Sequence, residues 1–159
     1  MDAWKTYTLS DVCSRLSSGK GISAKELTID GKYPVYGGNG LRGYCNRNNF
    51  DGDCAIIGRQ GAYCGNVRYF KGTAYMTEHA VVAVANENHN TRFLSYLLSM
   101  MNLGRLSGQS AQPGISVKTL SMQEVSMPPK YIQDKVAEFL EALESKIENN
   151  EQINNNLAA

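Results

Sequence analysis

The chain changes character at Pro128-Pro129: from Lys130 to the last residue it contains no glycine or proline, and helix formers dominate. Val136, Leu140, Leu143, Ile147, Asn150, Asn154 and Leu157 recur there at alternating spacings of four and three, a heptad seam. At about 1.5 Å per residue, a helix of roughly 27 residues would reach about 40 Å, too long to fold back on a small body as an ordinary core helix. An apolar seam on such a rod needs a partner helix, and Asn150 and Asn154 would weaken the pairing while fixing its register and partner number. The alternative is a surface helix with one apolar face.

The 159 residues suit one domain plus this appendage, with residues 1–128 as the body and residues 129–159 as the helix. With 42% of residues apolar the body can bury a core, and 15 glycines suggest a turn-rich, largely β architecture. "TYTLSDVCSRLSSG" reads as a short strand, then a helix capped by Ser10, stopped by Gly19 and buried through Leu9, Val12, Cys13 and Leu16. "YPVYGGNGLRGYCN" reads as strand, tight bend and strand. "CAIIGRQGAYCGNVRYF" reads as two strands about a turn at Gly61 to Gly65, and "AYMTEHAVVAVAN" ends in a further strand. "NTRFLSYLLSMMNLG" is apolar on nearly every side, which predicts a buried helix capped near Asn90 or Thr91 and ended by Gly104. A polar loop, "SGQSAQPGIS", leads to a short helix capped by Ser116 and a last strand in "QEVSMP". The fold class expected is α+β: a mostly β body with a few short helices, then a long coiled-coil helix.

The net charge of +1 hides an asymmetry. Residues 1–128 hold 13 Lys/Arg against 9 Asp/Glu, giving +4, and residues 129–159 hold 3 against 6, giving −3. If one part meets phosphate, it is the body. Cys13, Cys45, Cys54 and Cys64 form no C-x-x-C pair, and the histidines are His79 and His89, so a structural zinc site is not expected. Without a signal peptide or a long apolar run, free thiols in a reducing cytoplasm and no membrane contact are the expectation.

Several motifs invite a catalytic reading and fail on context. Gly38, Gly40 and Gly43 spell G-x-G-x-x-G, but a dinucleotide site needs a helix to open there, and "YCNRNNFDGD" is a poor helix sequence. "MPPKY" lacks the amide or acid that holds a target amine in amino methyltransferases. "ESK" at residues 144–146 has a nuclease-like form but lies mid-helix on the heptad pattern. Cys64, His79 and Glu78 would make a nucleophilic set only if the fold joined them; a buried thiol and a structural histidine are the plainer reading.

What remains is a scatter of groups suited to nucleic acid: Lys20, Lys25, Lys32, Arg42, Arg47, Arg59, Gln60, Arg68, Lys71, Gln109, Gln112 and Lys118, interleaved with Tyr36, Tyr44 and Tyr63. Most fall in turns. An arginine fork fits guanine O6 and N7, glutamine pairs with adenine, and lysine suits phosphate. Taken singly, each is also an ordinary solvated side chain.

The order of segments, "YPVYGGNGLRGY", "AIIGRQGAYCGNVRYF", "YMTEHAVV", "GQSAQPGIS" and "MPPKYIQDKVAEFLEALESKIENN", resembles a target recognition domain with its spacer helix from the DNA-specificity subunit of type I restriction–modification systems, over residues 4–157. The resemblance implies a non-catalytic chain that reads one half of a bipartite site in double-stranded DNA. It also implies an adenine methyltransferase partner that brings S-adenosylmethionine, no cofactor in this chain, and a restriction subunit in a full complex. A complete specificity subunit carries two recognition domains and two spacer helices. This chain shows one of each, so the seam is expected to pair with that of a second copy and to read a symmetric, interrupted site. Arg42, Arg47, Arg59, Gln60 and Tyr63 lead the candidates for DNA contact, followed by Gln109, Gln112, Lys20, Lys25 and Lys118; Gln112 and Pro113 equally suit a role bracing their loop. The competing function is a protein-interaction module that binds methyltransferase or full specificity subunits and tunes their assembly without reading DNA.

Overall fold

The computed structural model describes residues 4–107 and 114–157. The elements run β1 (Lys5–Thr8), α1 (Leu9–Val12), β2 (Cys13–Ser18), β3 (Tyr33–Gly37), β4 (Gly40–Cys45), β5 (Phe50–Gly58), β6 (Val67–Met76), β7 (Ala80–Ala85), α2 (Thr91–Met100), α3 (Val117–Ser121), β8 (Glu124–Met127) and α4 (Lys130–Leu157). This is the α+β arrangement expected, a mixed sheet with short helices and one long final helix.

Six strands form a sheet in the order β2-β7-β5-β6-β3-β4, and β1 pairs with β8 in a separate two-stranded ribbon. All neighbours in the large sheet are antiparallel except β3 and β6. β5 and β7 lie in its interior and carry the near-continuous apolar runs CAIIG and AVVAVA, as strands covered on both faces require. Alternation divides their side chains between two cores. Ala55, Ile57, Val81 and Ala83 pack with Leu9, Phe93, Leu94, Leu98 and Leu120 of the helical layer. Cys54, Ile56, Ala80 and Val82 pack on the other side with Phe50, Ala74 and Met76. Gly52 faces Gly72 in the β5–β6 ladder, both at positive φ, where the ladder turns so that Phe50 and Ala74 reach this second core.

Two sequence expectations are corrected. The segment after β1 is not a helix from Ser10 to Gly19. It makes one helical turn, capped where the Thr8 N–H donates to the Asp11 carboxylate at 3.0 Å, and then becomes β2. Serine and cysteine are weak helix formers, and extending Cys13–Ser18 closes the otherwise open edge of β7, with the Ser14 hydroxyl donating to the Ala85 carbonyl. Leu9 and Val12 are buried as expected, and Cys13 and Leu16 pack against the same core from the strand. α2 is capped by Asn90, whose side chain accepts the Phe93 N–H, but it ends at Met100 rather than Gly104. Asn102 takes a left-handed conformation there, a common helix stop, and a 3-10 turn covers Leu103–Leu106. Nor is α2 buried all round, since Ser99 and Met100 face solvent.

α4 is tied to the body at its start. Gln133 is fully buried; its Oε1 accepts the Asn90 N–H, and its Nε2 donates to the Pro128 carbonyl and to His89 Nδ1. Ala137 is buried beside it and Val136 packs against the main core. Beyond Leu140 every described residue except Glu144 is exposed.

Candidate nucleic-acid interface

Four connections meet at one end of the large sheet. The β3–β4 turn lays Gly38 against the start of the β5–β6 turn and the β6–β7 loop: a side chain at Gly38 would begin 2.7 Å from the His79 carbonyl oxygen and 3.2 Å from Gly58 Cα. The Arg59 N–H donates to the His79 carbonyl, fixing the second and third connections to each other. The segment after β2 joins them, with the Lys20 N–H donating to the Met76 carbonyl and Gly19 packed on Met76 and Thr77. The chain entering α3 adds a fifth support, since Ile115 N–H donates to the Arg59 carbonyl and Gly114 bridges Gln60.

These turns carry most of the leading candidates. Arg42, Gln60 and His79 line an open depression of about 380 Å³ with Asn39 and the β3–β4 glycines. The Arg68 guanidinium lies against Gly40, where a side chain would begin 3.5 Å from its central carbon. Arg59 is half-buried, with Nη1 3.4 Å from the Ser18 hydroxyl, and Tyr63 stands exposed in the β5–β6 turn. The structure therefore brings together Lys20, Arg42, Arg59, Gln60, Tyr63 and Arg68. Arg68 was only one of a dozen scattered groups in the sequence; its place opening β6, opposite the turn glycines, is what singles it out.

Lys25 and Arg47 lie elsewhere, at the far end of β4. Arg47 donates its Nε–H to Glu26 at 2.8 Å and stacks on Tyr75, so one edge and one face of its guanidinium are already engaged. Arg47 in turn helps hold the Glu26 carboxyl below its ordinary value, after the Ser23 N–H. Lys118 is exposed on α3. Gln109, Gln112 and Pro113 lie outside the described residues.

The catalytic set considered for Cys64 and His79 does not assemble. Glu78 does pair with His79 at 3.3 Å, as the set requires, but the Cys64 thiol donates instead to the Arg59 carbonyl. Burial pushes the Cys64 thiol up, and the Cys13 and Cys54 thiols up to about 12, which keeps them protonated and poorly nucleophilic.

The seam of α4 divides in two. Val136 faces the body, whereas Leu143, Ile147 and Leu157 are exposed, together with Asn150 and Asn154. Phe139 and Ile153, absent from the heptad register, are exposed as well, at 64% and 55%. Phe139 precedes Leu143 by four residues, about one helical turn, which puts it on the free stripe beside Leu143. No described helix is long and apolar enough to cross a membrane.

Comparison with known proteins identifies the architecture. The profile of the type I restriction modification DNA specificity domain matches residues 1–159. The chain is 38% identical over 146 residues to the specificity subunit of the type I restriction enzyme EcoprrI from Escherichia coli, covering 89% of this chain and 36% of that protein. A putative type I specificity subunit of Mycoplasma pneumoniae is 30% identical over 148 residues, covering 89% of this chain and 48% of that protein. The crystal structure of a type I restriction-modification S subunit from M. genitalium superposes with a TM-score of 0.82 at 19% identity, over 92% of this chain and 40% of that one. The chain thus spans less than half the length of these relatives.

Proposed function

The chain belongs to the family of type I restriction–modification DNA specificity domains, and on that premise we propose that its β body reads one half of a bipartite site in double-stranded DNA. The observation that carries this reading is the convergence of Lys20, Arg42, Arg59, Gln60, Tyr63 and Arg68 on one end of the sheet. Exposed lysine ammonium groups suit phosphate and set position, while planar guanidinium and amide groups on projecting turns suit base edges in the major groove. Lys25, Arg47, Lys118, Gln109 and Gln112 remain candidates for outer contacts.

The free stripe Phe139, Leu143, Ile147 and Leu157 supports a second role, pairing of α4 with the same helix of another copy. A two-fold pair is isologous, so it would present two identical readers to inverted half-sites separated by a gap. The chain itself supplies position and sequence choice. An adenine methyltransferase partner, carrying S-adenosylmethionine, would take the target base out of the stack, and a restriction subunit would join where the host has one.

Binding of a random-sequence duplex pool, followed by sequencing of the retained fraction, tests the reading. One half-site word in two inverted copies is expected, with affinity falling at least tenfold between about 50 and 200 mM salt. Arg59→Ala should cost about 1–3 kcal/mol and relax one base position. Absence of salt-dependent binding, even with methyltransferase present, would favour the interaction module that tunes assembly without reading DNA.

A further inference from the structure

α4 is gripped a second time after it has left the body. Arg92, in the first turn of α2, is 17% exposed at its side chain and donates Nη2 to Glu144 Oε2. The Tyr96 hydroxyl, one turn further along α2, donates to the same oxygen at 2.9 Å. The Arg92 guanidinium lies between two rings, 4.0 Å from the centre of Tyr69 and 4.8 Å from that of Tyr96. Tyr69 follows Arg68 in β6, and its hydroxyl lies 3.4 Å from Asp53 Oδ2 in β5. A single side chain thus joins the hairpin that presents Arg59, Gln60 and Arg68 to the fourth turn of the rod.

The spacing along α4 gives this contact its meaning. Glu144 stands eleven residues beyond Gln133, about three helical turns and about 16 Å along the axis, so the two residues share one face. A rod held only over the single turn from Gln133 to Ala137 has a short base against the body and can tilt. With Glu144 gripped as well, that base lengthens to about 16 Å and the direction of the rod is fixed.

We infer that Arg92 is a positioning residue that sets the angle between the reading body and the rod, and thereby the half-site spacing a pair of chains accepts. The inference rests on the DNA-reading function proposed above. Each added base pair moves a half-site by about 3.4 Å and turns it by about 35° about the duplex axis. Angular play of that size in the body would let a reader follow a half-site displaced by one base pair. Lysine at position 92 would retain a charge for Glu144 but could not lie flat between two rings.

Two measurements on the full chain separate this inference from the reading it rests on. The first uses duplexes carrying inverted half-sites with spacers lengthened one base pair at a time. Wild type should show one optimum, with affinity about tenfold lower one base pair to either side. Arg92→Met should keep the half-site word but flatten that ratio towards one, with Arg92→Lys between them. An unchanged ratio in Arg92→Met, or equal loss at every spacing, overturns the inference, and a wild type without an optimum overturns the two-reader function with it. The second needs no DNA. Amide residual dipolar couplings of residues 145–157 should fit the alignment of the body in wild type and shrink in Arg92→Met; couplings that stay unchanged would overturn the latch while leaving DNA reading intact.

Discussion

Gly65 holds φ at 86° in the turn between β5 and β6, and a side chain there would begin 2.2 Å from the Gly104 nitrogen. No flexible neighbour can yield, because the contact is backbone on backbone. Gly65→Ala is therefore expected to destabilise the chain by about 2–3 kcal/mol, read as a lowered urea midpoint with little change in slope. A midpoint within error of wild type would contradict the tight packing of that turn. The G-x-G-x-x-G run is explained by the same physics. Gly40 and Gly43 take φ of 105° and 142°, and Gly38 permits close approach to Gly58 and His79, so the glycines shape a hairpin and bring neighbouring turns together. That need for unusual backbone was legible in the sequence. The employment of individual cations was not: Arg47 and Arg59 look alike along the chain, yet one meets Glu26 and Tyr75 from distant segments while the other sits among the converging turns.

Element by element, legibility followed how much the local signal outweighed long-range pairing. The hairpins, β7 and the break into α4 were readable because glycine turns, β-branched runs and a proline pair act locally. β2 was misread because LSDVCSRL fits a helical stripe, and only its pairing with β7 makes it a strand. In α4 period and length are legible, but not the division into two faces, one clamped through Gln133 and one free. The clamp carries a pH dependence. Gln133 Oε1 accepts a backbone N–H, so its Nε2 must be the donor to His89 Nδ1, and that nitrogen is unprotonated. Burial pushes His89 below its ordinary value of 6.5. The unfolded chain, with an ordinary histidine, then binds more protons than the folded one as pH falls below about 6.5. The stability contributed above that pH is lost as pH falls through the lower folded value. The urea midpoint should be lower at pH 5.5 than at pH 7.5, and His89→Leu should narrow the gap; an equal gap in the variant would contradict the clamp's neutral histidine.

At the scale of the whole molecule, the proposed function assigns separate tasks to the basic body and the acidic helix. Lys20, Arg42, Arg59 and Arg68 lie where turns converge on the body, and the acidic rod, which phosphate would repel, leaves a stripe of apolar side chains exposed. A single reader on a rod specifies one short word, whereas two readers joined rod to rod specify two words and the gap between them. The most direct measurement is a map of methylated adenines in DNA from cells producing this chain with its cognate methyltransferase. Two identical, inverted half-sites separated by a gap of fixed length are predicted. Methylation at one unpaired word, at unlike half-sites, or unchanged by the presence of the chain would contradict the account of paired, identical readers.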